Sequence, residues 1–99
     1  MIDWKLITGF DWDDGNARKS ELKHEVSQFE AEQMFFNEPL LVLADSKHSE
    51  SEFRFHALGK TDDKRLLHVT FTLRFNHTKI RVISARDMHR KERNAYAKK

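Results

Sequence analysis

The segment Arg81-Val-Ile-Ser-Ala-Arg86-Asp-Met-His-Arg90-Lys-Glu92-Arg93-Asn-Ala-Tyr96 concentrates more reactive side chains than any other stretch of the chain. Arg81 and Arg86 bracket the end of a predicted strand. A helix then presents Arg90, Arg93 and Tyr96, with Glu92 on an adjoining face within a turn of Met88 and His89. Guanidinium groups gathered at a strand end suit phosphate, which their planar forks can meet with two hydrogen bonds at once. The six histidines, His24, His48, His56, His68, His77 and His89, raise the question of a metal, but their spacing argues against it. His48-Ser-Glu50-Ser-Glu52 has ligand chemistry, yet it falls in a Ser-rich connection between strands and reads as a solvated loop. There is no Gly-rich phosphate loop, nucleophile elbow or H-E-x-x-H, and no cofactor is expected.

The charge balance places these groups at one end. The net charge over 99 residues is +2, but residues 1–38 carry four Lys/Arg against nine Asp/Glu, and residues 76–99 carry eight against two. A basic end on a nearly neutral chain is the footprint of a protein that meets phosphates or an acidic partner there. Charge alone also fits a solvated helix with a lysine tail.

The elements that must position these residues follow from pattern. The length allows a single domain, residues 1–99, and eight Phe, two Trp and one Tyr supply a small core. With no Cys and no apolar run long enough to span a bilayer, the chain reads as a cytoplasmic protein that does not enter the membrane. Trp4 to Trp12 is too irregular for a helix and reads as a short edge strand or arm. A first helix, with Ala17 and Leu22 as a weak stripe, runs from Asp13 or Asp14 to about His24. Ser27 and Glu30 have capping-box spacing and open a second helix, with Phe29, Met34, Phe35 and Phe36 on one side. Leu40 to Leu43 reads as a buried strand, Phe53 to Leu58 as a half-buried one, Arg65 to Phe75 as a third and Lys79 to Ala85 as a fourth, with Asn76-His77 closing a hairpin.

These elements make an α+β domain: two N-terminal helices packed on an antiparallel sheet of about four strands, followed by a basic C-terminal helix from about Asp87. If the aromatic side of each strand faces the helices, Arg54, His56, His68, Thr70, Thr72, Arg74 and Arg81 line the open face, which suits a polyanion.

At Phe10-Asp11-Trp12-Asp13, Lys23-His24, Val26-Ser27-Gln28-Phe29-Glu30, Asp45-Ser-Lys-His48-Ser-Glu50, Leu58-Gly59, Arg65-Leu66-Leu67, Phe71-Thr72 and Ile80-Arg81-Val82-Ile83-Ser84-Ala85-Arg86, with Glu92 and Tyr96, the sequence resembles the BrnT family of toxins. Each motif is short; their order and spacing together are specific. The resemblance implies a RelE-like fold and a ribonuclease toxin of a type II toxin–antitoxin system, which cleaves RNA without a metal and so stops translation. It also implies a BrnA-type ribbon-helix-helix antitoxin as partner, with DNA met only through that antitoxin.

Resemblance and position together assign Lys23, His24, Arg54, Arg81, Arg86, Glu92 and Tyr96 to catalysis. Arg81 and Arg86 would stabilise the phosphate, His24 or Glu92 would serve as base or acid, and Tyr96 would stack or donate a proton. His56, His68, Arg74, Arg90 and Arg93 are expected to bind RNA. The chain departs from the family pattern at Asn16, Ser20 and Glu25, where a Gly would suit a left-handed helix cap. A homologue with a decayed site, binding RNA or antitoxin without cleavage, is the alternative.

Overall fold

The structure is a computed structural model and describes residues 2–47 and 52–99. The side chain of Ser20 and the His48-Ser-Glu50 part of the loop lie outside the described residues. The strands are β1 (Gly9–Phe10), β2 (Leu41–Asp45), β3 (Arg54–Lys60), β4 (Leu66–Arg74) and β5 (Lys79–Asp87), and the helices are α1 (Asp14–His24), α2 (Gln28–Gln33) and α3 (Arg90–Ala97). Short 3-10 turns at Trp4–Leu6 and Met34–Phe36 complete the chain.

The domain is α+β, but its sheet is five-stranded in the order β1-β5-β4-β3-β2 and mixed, because β1 runs parallel to β5. The arm expected before Trp12 therefore adds an edge strand two residues long. Beyond it, α1 takes the place of a strand along β5. Buried Asn16 donates its amide to Val82 O and to Asp11 O (3.0 Å each) and accepts from Asp13 N (2.7 Å), so one side chain occupies the sheet edge where β1 stops. The expected apolar stripe on α1 does not form, since Leu22 is 82% exposed.

The core lies on one side of the sheet. Ala57, Leu67, Val69, Phe71, Ile80, Val82 and Ala85 meet Val26, Ala31 and Met34 from α2 and its flanks. Phe71 stacks on Phe55 and takes the edge of Phe35. Ser27 and Glu30 form the expected capping box. Two expectations fail at the rims. Phe29 and Phe36 stand exposed, and β2 is an edge strand with Leu43 pointing to solvent, because a short apolar run does not say how much of it a neighbour covers.

Arg65 joins the first half of the chain to the sheet. It donates to both oxygens of Asp87 (2.7 and 3.1 Å), to Glu30 (3.0 Å) and to the carbonyls of Glu25 and His24, tying the end of α1, the start of α2 and the end of β5 into one corner. At that corner Glu25 has φ 56°, the left-handed conformation expected of the residue that closes α1. Glu25→Gly is expected to raise stability by about 1 kcal/mol, because the Cβ strain goes while the carbonyl that accepts from Arg65 stays. Urea denaturation reads this directly, and an unchanged or lower midpoint would contradict it. The β4–β5 turn is wider than a two-residue hairpin, with Phe75, Asn76 and His77 all at positive φ.

Candidate functional site

The polar side of the sheet is assembled by register. His56 on β3 faces Thr70 on β4, and Arg54 faces Thr72. On β5 the pairing shifts by one residue: Phe71 faces Val82, but Thr70 faces Ser84, which leaves Ile83 as a bulge. Side chains alternate along a strand, so without the bulge Arg86 would share the core side with Ile80 and Val82. With it, Arg86 stands opposite His68 on the same side as Thr70.

The chain then turns at buried Met88, and α3 crosses this side of the sheet, which is therefore only partly open. Glu92 accepts the His89 N–H at 2.8 Å, as a helix-capping residue does, and both its oxygens receive the fork of Arg86 at 2.8 and 3.0 Å. Burial raises the Glu92 carboxyl, but Arg86 and the His89 N–H outweigh it and hold it at about 2. Glu92 is a carboxylate at any neutral pH and a poor proton acceptor.

His68 is 12% exposed, with Nε2 3.9 Å from Glu92 Oε2 and with buried Nδ1 lacking a hydrogen-bond partner. Burial first, and then the charge of Arg86, hold its imidazole down to about 4 against the pull of Glu92. It is neutral at pH 7. Its ring lies 5.0 Å from that of His56. His56 is held at both nitrogens: Nε2 is 2.8 Å from Asp45 Oδ2 and Nδ1 is 3.0 Å from Thr70 Oγ1. An ionised carboxylate only accepts, so Nε2 carries the hydrogen and donates it to Asp45.

The structure thus brings Arg54, His56, His68, Arg86 and Glu92 onto one surface. Arg81 lies on the same side of the sheet, opposite Thr72, but like Arg74 it is engaged in ion pairs, and the remaining expected residues lie around or outside this cluster. Arg81 is paired with Asp11 and Asp13 at 3.2 and 3.1 Å, and Arg74 with Glu52 at 3.1 Å. Arg90 and Arg93 are exposed on α3, and Arg93 donates to Met88 O. Tyr96 is buried and donates its hydroxyl to Pro39 O at 2.7 Å, so in this structure it anchors α3 to the approach of β2. Thr72, expected on the open face, is buried with its hydroxyl donated to Phe53 O. Lys23 and His24 are exposed at the end of α1. There Arg65, and to a smaller extent His24, hold the Asp87 carboxyl below the usual carboxylate range, which puts His24 near the residue that follows Arg86.

Asp45 is the site residue that pattern reading left without a role. Nothing in its own spacing marks it; only the β2–β3 register, which sets Asp45 opposite Arg54, brings it to His56. Among the described residues, no three His, Asp or Glu side chains converge so as to hold a metal, and no helix is long and apolar enough to cross a membrane. A groove of about 730 Å³ with Trp4, Leu43, Phe53 and Phe55 in its walls is mostly apolar and shares no residue with this cluster.

The family model described as the ribonuclease toxin BrnT of type II toxin–antitoxin systems matches residues 12–92. The chain belongs to the BrnT family. No curated protein matches it. Membership makes this BrnT protein a ribonuclease toxin with an antitoxin as its partner. The BrnT match takes in the whole of the polar cluster, from Asp45 to Glu92, while Tyr96 lies outside it. Of the departures noted in the sequence, Asn16 has its amide fully engaged in closing the sheet edge.

Proposed function

We propose that this BrnT toxin is a metal-independent endoribonuclease of the RelE-like kind, and that it cleaves RNA on the polar side of the sheet. The observation that carries the reading is the convergence of Arg54, Arg86 and two histidines from three strands on one surface beside the basic α3. Metal-free cleavage needs cations on the crowded phosphate, a group that takes the 2′-hydroxyl proton and a source of a proton for the leaving 5′-oxygen. Arg86 and Arg54 supply the cations.

Glu92 orients Arg86 rather than accepting a proton, since its carboxyl is held at about 2. A fork already fixed by a carboxylate meets phosphate without losing side-chain freedom, and its remaining N–H groups are free to turn to the substrate. Arg81, paired with two aspartates, holds the segment leading into α1 against β5 and meets RNA only at the rim. His24, Lys23, Arg74, Arg90 and Arg93 lie around this surface as longer-range contacts to the RNA backbone. A BrnA-type ribbon-helix-helix antitoxin neutralises the toxin by covering the same surface, and DNA is reached only through that antitoxin.

Incubation of the purified protein with a mixed-sequence RNA in EDTA tests this. The expected products end in a 2′,3′-cyclic phosphate and a 5′-hydroxyl. Cleavage that needs added magnesium would overturn metal independence, and RNA binding with no cleavage in either buffer would favour a non-enzymatic module.

A further inference from the structure

We infer that Asp45, His56 and Thr70 form a proton relay in which His56 takes the proton of the RNA 2′-hydroxyl through the hydroxyl of Thr70. The inference rests on the ribonuclease reading above and supplies the proton acceptor that Glu92 cannot be.

Three strands contribute one group each, and the distances run in series: Asp45 Oδ2 to His56 Nε2 is 2.8 Å, and His56 Nδ1 to Thr70 Oγ1 is 3.0 Å. With Nε2–H donated to the carboxylate, Nδ1 of the neutral ring is an acceptor and Thr70 donates to it. This is the order of carboxylate, imidazole and hydroxyl in which a buried acid fixes the tautomer of a base and stabilises its imidazolium. Asp45 is buried at 8% exposure, whereas the His56 side chain is 37% exposed, so the chain of groups runs from the interior outwards.

The hydroxyl end lies among the cations. On β4, Thr70 sits two residues from Thr72, which faces Arg54, and two from His68, which faces Arg86. A phosphate held by either arginine is therefore about 7 Å along the strand from the Thr70 position, a span comparable to the length of an arginine side chain. His68, packed against His56 and neutral at pH 7, places no further cation against the charging ring. A simple structural pair would need neither the third hydroxyl nor the exposed imidazole edge.

The step balances. The 2′-hydroxyl proton passes to Thr70 Oγ1 as the Thr70 proton passes to His56 Nδ1. The 2′-oxygen bonds to phosphorus, the bond from phosphorus to the 5′-oxygen breaks, and the 5′-oxygen takes a proton from water. The imidazolium, paired with Asp45, then returns its proton to water through Thr70. In this scheme Thr70 and His56 are catalytic residues and Asp45 is a positioning residue.

The test is single-turnover cleavage of an RNA oligomer in EDTA between pH 5 and 9, by wild type, His56→Gln, Thr70→Val, Thr70→Ser and Asp45→Asn, with RNA affinity measured alongside. Gln keeps hydrogen bonding but cannot titrate, and Val keeps the volume of Thr. His56→Gln and Thr70→Val are expected to lose about 100-fold or more in rate at unchanged affinity. Thr70→Ser should keep most of the rate. Asp45→Asn should slow cleavage at unchanged RNA affinity, as loss of a positioning group does. A folded His56→Gln or Thr70→Val that cleaves within a few-fold of wild type overturns the relay and leaves the ribonuclease reading standing. A wild-type protein that cleaves no RNA overturns both.

Discussion

Arg86→Ala is expected to abolish growth arrest on induction and to lower RNA cleavage by about 100-fold or more, as loss of a charge-stabilising group does. The bulge at Ile83 exists in effect for this residue, turning it out of the core and onto the substrate side. Its fork is fixed by Glu92, and a third contact runs to Asp87 O at 3.0 Å. Truncation also leaves Glu92 without its cation, although the His89 N–H still satisfies one oxygen, so a loss of roughly 1–2 kcal/mol in stability accompanies the loss of activity. Circular dichroism separates the two effects, and Arg86→Lys, which keeps the charge without the fork, should be folded and only partly active. Arg81→Ala gives the contrast: it frees Asp11 and Asp13 at the edge of the sheet and should cost more in folding than in catalysis. Full toxicity in Arg86→Ala would remove the site from this face.

The second large effect is a loss of stability in mild acid. His68 titrates at about 4 in the folded protein, against about 6.5 in an unfolded chain. Between those values the unfolded state binds a proton that the folded state refuses, so stability is complete above pH 6.5 and falls as the pH drops toward 4. Burial is the main cause, and the limiting loss is about 3 kcal/mol. Glu92, held at about 2 and ordinary when unfolded, adds a separate loss below pH 4.5, together with the carboxyls of Glu30 and Asp87, also lowered. His68→Leu removes the upper window and also the buried Nδ1 that has no partner. Urea midpoints from pH 7.5 to 4.5 should slope in the wild type and flatten in the variant. A flat wild-type curve, or the same slope in both, would contradict the assignment.

Much of this architecture is legible in the chain because alternation over Arg54 to Leu58 and Leu66 to Arg74 separates core from polar sides. His56, His68 and Thr70 fall on the polar side by counting alone. Counting fails at β5, where Val82 and Ile83 are consecutive apolar residues and only the pairing with Phe71 and Thr70 shows that one of them is the bulge. Extending the strand's period from Arg81 would have put Arg86 in the core. Ion pairs between distant segments are equally hidden: Arg81 with Asp11 and Asp13, Arg65 with Glu30 and Asp87, and Asp45 with His56 depend on register and on how the ends of α1 and α2 meet the sheet. In the helices, caps are a better guide than apolar stripes. Ser27 and Glu30 mark the start of α2, whereas the stripe suggested by Ala17 and Leu22 does not form, because α1 is joined to β5 through Asn16.

The measurement that bears most directly on the polar face as the RNA site is amide chemical-shift mapping with a 2′-O-methyl RNA oligomer, which binds without the hydroxyl needed for cleavage, in EDTA. The shifts should concentrate on residues 54–58, 68–72 and 84–93 and weaken as salt is raised. Shifts centred instead on the apolar groove between Trp4, Leu43 and Phe53, with the Arg86 surface unmoved, would contradict it.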